Sequence, residues 1–136
     1  MTNCIFCRVI KGEIPSTKIY ENEKVFAFMD IMPGAEGHTL VIPKSHHEKM
    51  LSVPSEELDA LMKAIQKIAA AAVKATNADG FNIHQSNGEA AGQVINHVHF
   101  HIIPRKENDG LDFSWHGKKA EIEDLEKIRN VIKDNL

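Results

Sequence analysis

Aromatic residues make up only 6% of this 136-residue chain, and it has two cysteines, one tryptophan and no strong charge imbalance. A net charge of -3 argues against a protein that coats nucleic acid by bulk electrostatics. No apolar run is long enough to span a membrane, so no membrane partner is expected. The start, Met1-Thr2-Asn3-Cys4, lacks the charged-then-apolar pattern of a signal peptide, and a cytoplasmic, reducing setting is expected. Gly-x-Ser-x-Gly is absent, as are Gly-x-x-x-x-Gly-Lys-Ser/Thr and Gly-x-Gly-x-x-Gly, which leaves out the usual serine-nucleophile and phosphate-loop chemistries. No internal repeat or low-complexity segment occurs. The length suits one domain with its own hydrophobic core.

What is present is concentrated in His97-Val98-His99-Phe100-His101-Ile102-Ile103-Pro104. In a strand, successive side chains point to opposite faces, so the three imidazoles share one face and Val98, Phe100 and Ile102 face the core. Neighbouring histidines then stand roughly 6.5–7 Å apart along the backbone, close enough for two rings to lean on one phosphate. Burying three imidazoles for packing alone is costly, so the stretch reads as a site. A neutral imidazole is nucleophilic near pH 7, and attack on phosphorus gives a phosphohistidine-type intermediate that water later cleaves. His99 alone has a histidine on both sides and is the expected nucleophile, with His101 as its helper.

The surrounding pattern predicts an α+β layout, an antiparallel sheet crossed by one long helix. Cys4 to Ile10 reads as a short helix ended by Gly12, and strands are expected at 18–20, 25–29, 38–43, 81–84 and 97–104. Leu58, Leu61, Met62, Ile65, Ile68, Ala69 and Ala72 form one apolar helix face, with Ser52 or Ser55 as cap and Asn77 to Gly80 as the end. Ile122, Leu125, Ile128 and Ile132 predict an amphipathic C-terminal helix packed on the body or on a partner. Trp115 reads either as a contact across a dimer or as a cap on its own core.

Three further groups bear on chemistry. Asn87 and Gln93 flank a glycine-containing loop that leads into the histidines, and Asp30 ends a strand where a carboxylate could accept from a ribose diol. Cys4-x-x-Cys7 supplies half of a tetrahedral metal site, which His46 or His47 and one of the triad could complete.

Together these motifs resemble the histidine triad (HIT) superfamily, and most closely the small bacterial HIT proteins of the Hint type. The likeness is carried by Ile5-Phe6-Cys7-Arg8-Val9-Ile10, Ile14-Pro15, Phe28-Met29-Asp30-Ile31, Gly37 to Lys44, Asn87-Gly88, Gly92-Gln93 and His97 to Pro104. It implies a single HIT domain over residues 1–136, with a core at 3–105 and a C-terminal extension at 106–136. It also implies a homodimer whose sheets join. The implied activity is hydrolysis at the α-phosphate of purine nucleotide esters, amides or dinucleoside polyphosphates through a nucleotidyl-histidine, with AMP- or GMP-like products. A nucleotide-binding or interaction module with little catalysis, and a nucleotidyl phosphorylase, are the alternatives. By the same resemblance His99 attacks and His101 contacts the phosphate or leaving group, while His38 and Asn87 line the phosphate site. Asp30 takes the ribose hydroxyls, Phe6, Val9, Phe28 and Ile31 wall the base, and Gln93 matches the glutamine before the triad. Val94 departs from the serine many relatives carry there, and weaker action on phosphoramidates is expected. Cys4, Cys7, His46 and His97 are the implied ligands of a structural Zn2+, a site with no open position for substrate.

Overall fold

A computed structural model describes residues 3–136. The elements in order are α1 (Ile5–Ile10), β1 (Lys18–Glu21), β2 (Val25–Met29), β3 (Thr39–Pro43), α2 (Ser55–Thr76), β4 (Gly80–Gln85), β5 (Phe100–Arg105) and α3 (Ile122–Asp134). The five strands make one antiparallel sheet in the order β1-β2-β3-β5-β4. This is the α+β architecture that the pattern of residues predicts.

Alternation along β2 and β3 feeds two cores on opposite faces of the sheet. Val25, Ala27 and Val41 join Val98, Phe100 and Ile102 against Leu61, Ala64, Ile65, Ile68 and Ala69 of α2. Phe26, Phe28, Leu40 and Ile42 pack instead against Phe6 and Val9 of α1. Both strands are therefore covered on both sides, which is why they read as apolar runs without a polar face. On the helix, Ala64 is buried and Met62 is exposed, a small rotation of the expected apolar stripe.

The cap of α2 differs from expectation. Neither Ser52 nor Ser55 caps it: Pro54 occupies the N-cap with no side-chain bond, and its carbonyl accepts from the Glu57 and Leu58 amides. Ser55 and Glu56 are exposed, so water can satisfy the first-turn amides that a side-chain oxygen would otherwise bond. Asn77 ends the helix in the left-handed conformation at φ 54°.

The histidine strand also starts later than its alternation suggests. β5 begins at Phe100, so of the three histidines only His101 lies in the sheet ladder. Pro43 offers no N–H to extend the β3 ladder toward Val98, and the Val98 amide donates instead to the His47 carbonyl at 2.8 Å. The facing of the side chains survives: Val98, Phe100 and Ile102 meet α2, while Phe6, on the opposite side of the sheet, touches the rings of His97 and His99.

α3 does not pack on the body. Ile122, Leu125, Ile128 and Ile132 are each more than half exposed, and Trp115, at 88% exposure, does not cap the core of its own chain. An amphipathic stripe sets where a helix forms, but not what covers it.

Candidate functional site

His99 and His101 stand side by side, with ring centroids 5.1 Å apart. His99 Nδ1 lies 2.7 Å from the His97 carbonyl, which can only accept, so Nδ1 carries the proton and Nε2 keeps a bare lone pair. The edge of Phe6 meets the His99 ring at 5.3 Å and fixes its tilt.

His101 is in the opposite state, and a chain of donors sets it. The loop before β3 turns at Gly37, where a Cβ would sit 2.8 Å from Thr76 Cγ2, so only glycine lets the loop press against the end of α2. In that loop the Gly34 N–H donates to His38 Nδ1 at 2.9 Å. His38 must then hold its proton on Nε2, which lies 2.8 Å from His101 Nδ1. His101 Nδ1 accepts, and its own proton sits on Nε2. Asp30 closes the cluster, with Oδ2 3.5 Å from His38 Nε2 and 4.0 Å from His101 Nδ1. Its Oδ1 accepts from the Met32 amide at 2.8 Å. Burial pushes the His38 pKa down, partly opposed by Asp30. Burial first, then the neighbouring His99 and His38, lowers that of His101 to about 4. Both rings are thus neutral near pH 7, the state in which this donor chain is defined.

Cys4, Cys7, His46 and His97 form a second cluster. His97 Nδ1 lies 3.4 Å from Cys4 Sγ and 3.6 Å from Cys7 Sγ, and His46 Nδ1 lies 3.4 Å from Cys7 Sγ. Tetrahedral zinc with Zn–S about 2.3 Å and Zn–N about 2.0–2.1 Å has S···N edges of about 3.5 Å, so the spacing fits. His97 is fully buried, and its Nε2–H donates to the Pro43 carbonyl at 2.8 Å, leaving Nδ1 free to ligate. Burial lowers the His97 pKa to about 4, which keeps the ring neutral as ligation requires. Burial and the adjacent Cys4 push the Cys7 thiol up, a cost that a bound dication would reverse. His47 is not a member: its Nε2 pairs with Glu57 Oε2 at 3.1 Å. Of the two adjacent histidines it is His46 that faces the thiols.

Asp30, His38 and His101 also lie within ligating distance of one another. Here the surroundings favour a proton over a metal. Ligation through His38 Nε2 would need its proton on Nδ1, which would then face the Gly34 N–H donor to donor.

The remaining expected residues sort by position. Phe6, Val9 and Phe28 are buried in the core beneath the histidines, whereas Ile31 stands 88% exposed and does not pack with them. Asn87 and Gln93 are engaged in the loop rather than with the histidines. Asn87 Oδ1 accepts from the Met50 amide at 2.7 Å and from Gln85. Buried Gln93 accepts from the Gly88 N–H and donates to the Glu48 and Ile95 carbonyls, clasping the loop that ends in the triad. Val94 is exposed beside it.

One residue at the site lay outside the sequence reading. His84 on β4 is in register with His101 on β5, and their rings lie 5.9 Å apart. The signal was the alternation of Phe81-Asn82-Ile83-His84, whose polar positions take the triad's face of the sheet.

Comparison with known proteins follows the same outline. The family model for the HIT domain matches residues 11–108. A HIT-like protein of Methanocaldococcus jannaschii is 51% identical over 130 residues, covering 96% of this chain and 98% of that one. The adenosine 5'-monophosphoramidase HNT1 of Saccharomyces cerevisiae is 43% identical, covering 98% and 82%. Among solved structures, a HIT family member from Bacillus subtilis superposes with a TM-score of 0.93 at 43% identity, covering 98% and 97%. A Zn-bound histidine triad family protein from Mycobacterium smegmatis superposes at 0.78 and 36% identity, covering 98% and 97%. With a match across most of its length and a shared arrangement of sheet, helix and histidines, the chain belongs to the HIT family.

Proposed function

We propose that this protein is a nucleotide hydrolase that cleaves purine nucleotide esters, amides or dinucleoside polyphosphates at the α-phosphate. The observation that carries the reading is the different Nδ1 partner of two adjacent rings: His99 Nδ1 meets the His97 carbonyl, which leaves Nε2 as the lone pair, and His101 Nδ1 meets His38 Nε2, which leaves Nε2 as the donor. The first is a nucleophile and the second a hydrogen-bond donor to the phosphoryl or leaving group. The His99 Nε2 lone pair attacks phosphorus and the bond from phosphorus to the leaving oxygen or nitrogen breaks; the His101 Nε2–H donates a hydrogen bond to the charge that develops there, and the departing group takes its proton from solvent water. Water then attacks the nucleotidyl-histidine, the bond from phosphorus to His99 Nε2 breaks and returns its electron pair to the ring, and the water's proton passes to solvent as the nucleoside monophosphate leaves. Asp30 and His38 act through His101 by holding its tautomer, and Asp30 is also offered to the ribose. The phosphoramidase name of the yeast relative supports an adenosine nucleotide as substrate.

Cys4, Cys7, His46 and His97 would hold Zn2+, and the Zn-bound relative supports that choice of metal. Zinc there supplies a structural cross-link, because four protein ligands leave no position for substrate. A reducing compartment suits the two thiols as ligands, and no helix is long and apolar enough to cross a membrane. A homodimer is supported by the edge strand β4, where Phe81 and Ile83 are each more than 40% exposed on the α2 side of the sheet.

Incubation with adenosine 5'-monophosphoramidate should release AMP, and a short quench should trap protein carrying one AMP group. His99→Ala should lower turnover by about 10³-fold or more, as loss of a nucleophile does elsewhere. Equal turnover by His99→Ala refutes the mechanism.

A further inference from the structure

β4 brings a fourth histidine to the reacting face. Register pairs His84 with His101 and Asn82 with Ile103, so Asn82, His84 and His101 lie on the side of the sheet away from α2. Ring centroids run 5.1 Å from His99 to His101 along the chain and 5.9 Å from His101 to His84 across the sheet, which puts His101 at the corner of three imidazoles. His84 is exposed, unlike His38 and His97.

Its ring is nevertheless held. Phe113 lies against it at 5.9 Å, and the Arg105 guanidinium covers Phe113 at 5.2 Å. Arg105 is itself fixed by Asp109 and by Asn82 Oδ1 at 2.7 Å. Ser86 Oγ stands 3.3 Å from His84 Nε2, while Nδ1 carries no hydrogen bond among the described residues. A packed, solvent-facing imidazole with one open nitrogen and a hydroxyl beside it is suited to an anion.

The geometry points to His84 and Ser86 as a specificity subsite for a second phosphate group of the substrate, the one bonded to the scissile α-phosphate. This rests on the hydrolase reading, in which the α-phosphate sits between His99 and His101. His84 is the neighbour of His101 across the sheet, so an anionic group attached to that phosphate and directed toward β4 meets His84. The open ring nitrogen can donate to the anion in the tautomer that carries its proton, and the Ser86 hydroxyl can turn to donate. A leaving group without phosphate, such as an amine, has nothing for His84 to hold. The subsite would therefore favour polyphosphate-linked nucleotides over amides.

Calorimetric titration of the full-length protein with AMP and with α,β-methylene-ADP, which cannot be cleaved between its phosphates, tests this. The wild type should bind the diphosphate analogue more tightly than AMP. His84→Leu should lose about tenfold in affinity for the analogue, as expected for one hydrogen bond to a charged group. Its affinity for AMP should stay within about twofold, which also reports an intact fold. His84→Gln, which keeps a donor, should recover most of the loss. No preference for the analogue in the wild type, or equal losses for both ligands in His84→Leu, overturns the assignment. Failure of the hydrolase reading shows separately, as absent phosphoramidate cleavage in a protein that still binds AMP.

Discussion

Replacing His38 by asparagine or by glutamine separates the two hydrogen bonds that fix His101. In the native ring, Nδ1 accepts from the Gly34 N–H at 2.9 Å and Nε2–H donates to His101 Nδ1 at 2.8 Å. Asparagine reaches about as far as Nδ1 and can still accept from Gly34, but it is too short to donate to His101. Glutamine reaches about as far as Nε2 and can still donate. In His38→Asn, the His101 Nδ1 loses its donor in a site that is three-quarters shielded from water. An unmade bond of this kind costs about 2 kcal/mol, which frees the ring to take the other tautomer and removes the proton from Nε2. That corresponds to a fall of about thirtyfold in kcat for nucleotide cleavage. Glutamine should hold kcat within about threefold of wild type. Steady-state hydrolysis of adenosine 5'-monophosphoramidate near pH 7 reads both variants, far above the His101 pKa of about 4. Equal activity in the asparagine and glutamine variants, whether high or low, refutes the tautomer argument.

Three other outcomes are expected. Elemental analysis should find about one zinc per chain in wild type and a trace in Cys7→Ser, with a stability loss of about 3 kcal/mol or more because buried His97 loses a partner; trace metal in wild type with a melting temperature indifferent to chelator contradicts this. His101 is lowered in the folded protein to about 4 against 6.5 unfolded, so the unfolded chain binds its proton first as pH falls. Its share of stability is intact above about pH 7 and declines by about 2 kcal/mol by pH 5; urea unfolding of wild type and His101→Asn should differ by that amount in pH dependence, and parallel curves oppose it. Ile83→Lys puts a charge on the half-exposed face of the β4 edge and should convert a dimer to a monomer by light scattering with little change in unfolding free energy; an unchanged mass argues against pairing through this edge.

Much of this molecule is written locally. The apolar spacing from Leu58 to Ala69 determines a helix because burial at three- and four-residue steps satisfies only one periodicity. The runs at 25–29 and 39–43 determine doubly covered strands, and Val98, Phe100 and Ile102 determine which way the three histidines face. The Cys4-x-x-Cys7 pair likewise marks half of the Cys/His cluster before any fold is known. Tertiary structure decided whatever depends on a partner distant along the chain. Glu57 draws His47 away and leaves His46 to the thiols, a choice that two adjacent histidines cannot express in sequence. Gly34, through His38, sets the proton on His101, although 67 residues separate that amide from the ring it governs. Pro43 and His47 delay the start of β5, and strand register alone brings His84 beside His101. Periodicity encodes which face a side chain takes; hydrogen-bond partners, and hence protonation and chemistry, exist only once the strands are side by side.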